Sequence, residues 1–249
     1  MTARGAALVT GAGRRIGRAI ALRLAAAGFD IAVHYRSGPE DAADTAEAVR
    51  ALGQRAETFQ AELTDEAAAR DLVARAAAAL GPLTALVNSA STFQDDRAGD
   101  LTRKTWDAHF ETNLRAPVVL AEAFAAQAPD GASIVNLLDQ RVWKPTPQFF
   151  SYALSKSALW TATQMLAQAF APRLRVNGVG PGPTLASVHQ DEAAFEAEAA
   201  GVLLGRSVEP EEVAAAVLYL IDAQAVTGQM IAVDAGQHLG WRTPDISEP

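Results

Sequence analysis

The sequence predicts a doubly wound α/β domain, a parallel seven-stranded sheet with helices on both faces. Three observations carry this. Short apolar, β-branched runs alternate with longer Ala-rich stretches along the whole chain. Glycines follow several of those stretches, where left-handed helix caps are expected. Finally, 249 residues without a composition break or a longer repeat suit one large domain, spanning 1–249.

The elements follow in order. Strand Ala6–Thr10 leads to helix Ile16–Ala27, closed by Gly28, then strand Ile31–Tyr35. Helix Pro39–Leu52 stops at Gly53 before strand Ala56–Gln60. Thr64-Asp65 reads as a helix start, giving Asp65–Leu80 with Gly81 behind it and strand Ala85–Asn88. Helix Lys104–Gln127, strand Ser133–Leu138, helix Ser151–Phe170 and strand Arg173–Val179 continue the alternation. Glu209-Pro210 opens helix Pro210–Ile221, and Met230–Val233 is the last strand. Right-handed crossovers place ligands at the carboxyl ends of such strands, near the switch point. Residues 180–205, bounded by Gly and Pro and then rich in Ala and Glu, read as a substrate lid.

Composition narrows the function. The chain has no Cys, so disulfides, thiolate metal sites and a cysteine nucleophile are excluded together. A net charge of −8 argues against nucleic acid as a partner. No run of 18 apolar residues predicts a membrane span, and no signal-like segment precedes the first strand, so a cytoplasmic protein is expected. The charge is uneven, however. Residues 1–36 hold Arg4, Arg14, Arg15, Arg18, Arg23 and Arg36 against one acid, Asp30, which points to a small anionic ligand there.

The first strand runs into Thr10-Gly11-Ala12-Gly13-Arg14-Arg15-Ile16-Gly17, opening a helix. Gly-rich backbone meeting the amides of a helix N-terminus makes a pyrophosphate site, and the position after the first strand of a βαβ series makes the signal specific. The bland alternative is a tight turn. The second strand ends His34-Tyr35-Arg36-Ser37. An acid there would bind the adenosine ribose 2′-hydroxyl, whereas Arg suits a 2′-phosphate. Arg36, Ser37 and Arg14 therefore predict NADP(H).

Tyr152 and Lys156 stand four residues apart on one helix face. An ammonium beside a phenol favours the phenolate and draws its pKa down from about 10 toward the working pH. Tyr152 is thus expected to be the general acid for a carbonyl or imine receiving hydride. A purely structural pair is the alternative.

Thr10–Gly17, Asn88–Ser91, Asn113, Tyr152 with Lys156 and Pro181-Gly182 match, in order and spacing, the short-chain dehydrogenase/reductase family, which the chain resembles over nearly its whole length. The resemblance implies a Rossmann fold and a homotetramer with the Tyr152 helix at the subunit contact. It makes Tyr152 the proton donor, while Lys156 lowers its pKa and holds the nicotinamide ribose. Asn113 would organise a water relay, and Pro181, Gly182 and Thr184 would lie by the nicotinamide carboxamide. It also assigns cofactor contacts to Gly11, Arg14, Arg15, Ile16, Gly17, His34, Tyr35, Arg36, Ser37, Leu63, Asn88, Ser89 and Ala90. Glu62 stands where Asp normally meets the adenine.

Three departures are informative. Asp139 replaces the Ser found 13 residues before the catalytic Tyr, and a carboxylate suits a ring bearing N–H donors. Arg15 replaces a loop Gly, and Asn88-Ser89-Ala90-Ser91-Thr92-Phe93 replaces Asn-Asn-Ala-Gly. All three resemble the pteridine reductase branch. That resemblance implies an NADPH-dependent reductase of pterin-like substrates, with Arg15, Ser91, Phe93, Asp139 and Tyr152 contacting the pterin and Phe93 stacking on it. Each has a plainer alternative: Asp139 as a loop cap, Phe93 as core filling, Arg15 paired with a surface acid. Rival functions are a general carbonyl reductase of ketones, quinones or 3-oxoacyl thioesters, and a non-catalytic NADP(H)-binding sensor. His34, His109, His189 and His238 lack metal-ligand spacing, so no metal is expected, and no Ser-His-Asp nucleophile is discernible.

Overall fold

The computed structural model describes residues 4–187 and 190–241; His189 lies outside them. Seven parallel strands run β1 (Ala6–Val9), β2 (Asp30–Tyr35), β3 (Ala56–Gln60), β4 (Leu83–Asn88), β5 (Ser133–Leu137), β6 (Arg175–Pro181) and β7 (Met230–Val233). Their spatial order is β3-β2-β1-β4-β5-β6-β7. The order reverses between β1 and β4, so the crevice above their carboxyl ends is the natural ligand site. The sheet is buried on both faces, which is why β1 reads as an unbroken apolar run and β5 is buried at every position rather than at alternate ones.

Helix α1 (Arg15–Ala26) packs on α8 (Pro210–Asp222) over one face, where Ile20, Leu24, Val213 and Val217 are buried together. The helices α3 (Glu66–Leu80) and α5 (Ala116–Gln127) close the other face with Leu72, Leu120 and Phe124. Each such large side chain contributes about 1.5–3 kcal/mol by leaving water. Between β2 and β3 lies α2 (Pro39–Ala51), with Pro39 in its first turn. A helix α6 (Phe150–Phe170) carries Tyr152 and Lys156 and follows β5.

Two expectations change. The single helix foreseen over Lys104–Gln127 is α4 (Arg103–Phe110), a π turn at Glu111–Arg115, and then α5. Pro117 lacks the N–H that an uninterrupted α-helix would direct to the Asn113 carbonyl, so the ladder is broken there. Second, residues 180–205, read as a lid with no helix assigned to it, contain one. They hold α7 (Glu192–Ala200), started by Asp191, whose carboxylate accepts the Ala194 amide at 2.8 Å.

Candidate active site

Two joined cavities lie above the strand ends. The smaller, about 340 Å³, is lined by Gly11, Arg14, Gly17, Tyr35, Arg36, Ser37, Glu62, Leu63 and Ala90, among others. The larger, about 710 Å³, holds Phe93, Asp139, Tyr152, Lys156, Pro181, Gly182 and Thr184. Arg15, Ile16, Ser89 and Ser91 line both, so the α1 N-terminus sits at their junction.

Close packing builds the smaller cavity. A Cβ on Gly17 would stand 2.2 Å from the Gly11 carbonyl oxygen, and Gly11 itself has φ +64°, so this turn admits no side chain at either position. Among the described residues no side chain caps the amides of the α1 N-terminus. A concave main-chain cradle with uncapped amides, flanked by Arg14, Arg36 and Ser37, fits a nucleotide pyrophosphate and an extra phosphate. His34 has another task. Its Nδ1 accepts the Gly11 amide (3.1 Å) and its Nε2 donates to the Ala61 carbonyl (3.2 Å). Burial lowers its pKa to about 4, so it braces the loop as a neutral ring while its edge faces the cavity. Glu62 accepts from the Thr64 amide and hydroxyl at 3.2 and 3.0 Å.

Arg15 and Phe149 are two of the three non-Gly residues with positive φ among the described ones, at +54° and +52°, and both line the larger cavity. Left-handed backbone costs such residues about 1–2 kcal/mol, and strain of this kind gathers at functional sites. Among the described residues the Arg15 guanidinium meets no acid. It donates to the Leu185 and Ala186 carbonyls (3.2 and 2.9 Å), spanning the cleft to the segment after β6. Phe93 lines the cavity rather than the core, stacked on Phe149 at 4.3 Å and edge-on to Tyr152 at 4.7 Å. In the sequence Phe149 is one of three aromatics, with Trp143 and Phe150, between Asp139 and Ser151, and nothing there singles it out.

Asp139 does two things at once. Oδ1 accepts the Arg141 amide (2.8 Å) as the cap of a short 3₁₀ turn, and Oδ2 accepts the Tyr152 hydroxyl (3.0 Å). The Arg141 guanidinium lies 3.4 Å away and 5.4 Å over the Phe149 ring. Lys156 donates to the Leu137 carbonyl (2.7 Å), with its nitrogen 5.8 Å from the Tyr152 ring centre.

This geometry corrects the expected titration. The Tyr152 phenol is pushed well above its ordinary range, first by burial and then by the Asp139 carboxylate that accepts its proton. Lys156 spends its nearest donor on a carbonyl, and its own pKa falls to about 8 through burial. Tyr152 is thus held firmly as the neutral acid.

Asn113 is fully buried and lines neither cavity. Its Oδ1 accepts from the Thr92 amide (2.8 Å) and Ser91 hydroxyl (3.1 Å), while Nδ2 donates to the Thr92 carbonyl (2.9 Å) and Ser155 Oγ (3.1 Å). Asn88 likewise faces inward, donating to Asn136, which donates to Thr163. Thr10 Oγ1 accepts the Ser89 and Ala90 amides at 2.9 and 3.0 Å, fixing the junction loop to β1. Gly182 donates to Val233 (3.0 Å) and Thr184 to Gly182 (3.1 Å), which seats that segment on β7. Asp96, Ser151 and Arg141 were not foreseen from the sequence as site residues, and His109 was noted there only as lacking metal-ligand spacing. His109 and Asn113 stand four apart, as do Ser151 and Ser155 around Tyr152, and that spacing was the available signal. Ser151 lies between His109 and Asp96 and is fully buried, so these three do not form a nucleophile triad.

A family model described as enoyl-(acyl carrier protein) reductase matches residues 11–238. The chain belongs to the short-chain dehydrogenase/reductase family. It is therefore an oxidoreductase. It is similar to the FolM alternative dihydrofolate reductase 1 of Brucella canis, solved with NADP, at 46% identity over 99% of both chains and a TM-score of 0.95. It also resembles a 3-oxoacyl-[acyl-carrier-protein] reductase of Aggregatibacter actinomycetemcomitans, 34% identical over 92% of this chain and 97% of that one. A Burkholderia cenocepacia short-chain dehydrogenase solved with NADP shares 35% identity over 94% and 98% of the two chains, with a TM-score of 0.88.

Proposed function

We propose that this family member is an NADPH-dependent reductase of the C=N bond of a pterin-like substrate. The observation that carries the reading is the Tyr152 hydroxyl donating to Asp139 Oδ2 at 3.0 Å, beside the Phe93–Phe149 wall. A carboxylate recognises the amino and N–H edge of a flat heterocycle, and an aromatic wall favours its face. Brucella canis FolM, called an alternative dihydrofolate reductase, supports the substrate class by its likeness.

NADP(H) is the cofactor in this reading. The main chain of Gly11–Gly17 and Arg14 would hold its pyrophosphate, Arg36 and Ser37 its 2′-phosphate, Glu62 and Leu63 its adenine, and Pro181, Gly182 and Thr184 its carboxamide. When bound it supplies a hydride. Tyr152 then gives its proton to the substrate nitrogen, which completes the conversion of C=N to CH–NH. Lys156 stabilises the phenolate left behind, and Asn113, expected to organise a water relay, instead spends its whole side-chain amide on Ser91, Thr92 and Ser155 and so holds the loop to α6. Asp139, accepting from the substrate edge, keeps the ring in register. Arg15 reaches from the cofactor phosphates toward the substrate, and Ser91 offers it a hydroxyl.

The test is NADPH oxidation with dihydrobiopterin, dihydromonapterin, dihydrofolate and a simple quinone, for the protein and an Asp139→Ser variant. Pterin turnover that collapses in the variant is expected. Quinone turnover indifferent to Asp139 would instead favour the general carbonyl reductase, the reading that the likeness to the Aggregatibacter ketoacyl reductase supports. The same proposal includes a cytoplasmic homotetramer formed through α6, where Leu154 and Met165 are exposed. Light scattering giving a monomer would overturn that part.

A further inference from the structure

Phe93 is flanked by main-chain groups that two side chains grip. Asn113 takes both the N–H and the C=O of Thr92, and His109 Nε2 accepts the Gln94 amide at 3.1 Å. These two side chains sit one turn apart, His109 on the last turn of α4 and Asn113 on the π turn. Each also reaches α6. Asn113 donates to Ser155 Oγ, and His109 Nδ1 donates to Ser151 Oγ at 2.6 Å. Ser151 and Ser155 bracket Tyr152 in the same helix. The Ser151 hydroxyl donates a hydrogen bond to Asp96 Oδ2, while Asp96 Oδ1 accepts the Ser151 amide at 3.0 Å. His109, Ser151 and Asn113 are each 0% exposed.

We propose that His109 is a positioning residue that, with Asn113, sets the angle of Phe93 against Tyr152 and so tunes the site for flat ring substrates. The Asn113 grip fixes the Thr92 side of Phe93, and further along the loop Asp96 accepts the Ser151 and Phe150 amides. His109 fixes the Gln94 side and ties it to the residue before the general acid. The hydrogen bonds are consistent with only one imidazole form. Nε2 must be bare to accept from Gln94, and Nδ1 must carry the proton because Ser151 already donates to Asp96. Burial lowers the His109 pKa and holds it in this neutral form, against Asp96 on the loop and with Lys156 on α6 opposing a second positive charge. The Tyr152 ring lies 5.9 Å from the imidazole, edge to face. Substrate selectivity in this account rests on the reading of Phe93 as the substrate wall; the clamp itself does not.

The experiment has two arms on the full-length protein, using His109→Leu, His109→Gln and Ser151→Ala. The first arm needs no substrate: amide exchange at Thr92 and Gln94 is followed by NMR. In His109→Leu the Gln94 amide should exchange at least about tenfold faster while Thr92 stays protected, and His109→Gln, which keeps an acceptor and a donor, should restore Gln94. Unchanged Gln94 exchange in His109→Leu overturns the clamp. Should His109→Leu fail to fold, Ser151→Ala decides instead: it removes the acceptor of the His109 Nδ1 proton together with the hydroxyl bond to Asp96, so Gln94 exchange at least about threefold faster supports the clamp and unchanged exchange overturns it. In the second arm, KM for dihydrobiopterin should rise about tenfold in His109→Leu, with quinone kcat/KM falling less than threefold and NADPH affinity unchanged. Equal losses for both substrates overturn the selectivity role. A wild-type protein that reduces no pterin fails the function proposed above, and the exchange arm still decides the clamp.

Discussion

The nucleotide corner and the catalytic corner of this molecule are built differently. Around β1, α1 and β2 the site is made of main chain: a Gly turn into which no Cβ fits, the free amides of one helix, and a buried neutral histidine propping the loop. Around β4, α4, the π turn and α6 it is made of side chains 13 to 55 residues apart, namely Asp139 with Tyr152, Asn113 with Thr92 and Ser155, and Asp96 with Ser151. A site made of backbone geometry tolerates change around it and fails only where a Cβ intrudes. A site made of linked side chains spreads each loss to its neighbours.

The sharpest break should come at the acid itself. Tyr152→Phe is expected to lower turnover about 10²–10⁴-fold while NADPH binding, read by fluorescence titration, stays within a factor of two. Normal turnover would remove Tyr152 from the chemistry. On the other side of the comparison, His34 titrates near 4 in the folded protein and near 6.5 unfolded. The unfolded chain therefore takes up a proton in that window that the folded chain refuses. Stability is intact above pH 6.5 and falls as the pH drops toward 4, by about 3 kcal/mol in total. Denaturant titrations across this range should show that slope, and His34→Gln should flatten it.

Smaller effects should separate the two corners further. Asp139→Asn should cost pterin turnover about 10–100-fold, the worth of a hydrogen bond to a charged group, with less effect on a quinone. Loss of the carboxylate also removes one of the forces raising the Tyr152 pKa, so the alkaline limb of the pH–rate profile should move to lower pH. An unmoved limb would mean that burial alone sets the phenol. Arg36→Ala should weaken NADPH about tenfold and leave NADH nearly untouched, read as paired Kd values. Equal losses would place Arg36 away from the 2′-phosphate.

The sequence by itself determined what depends on neighbours in the chain. Periodicity and Gly punctuation located every strand, and the Gly11–Gly17 loop and the Arg36-Ser37 pair were readable because a turn or a strand end is a local event. Tyr152 and Lys156 were readable because four residues make one helical turn. What only the tertiary structure decided depends on groups brought together across the fold. The ionisation of Tyr152 is the plainest case: its helical neighbour Lys156 suggested a lowered pKa, yet the carboxylate 13 residues away and the burial around it raise it. Likewise the break between α4 and α5 could be suspected from Pro117, but the use made of it, an Asn113 amide turned onto Thr92 and Ser155, required the loop and α6 to be in place. Local geometry is written in adjacent residues, whereas burial and charge are properties of the packed whole.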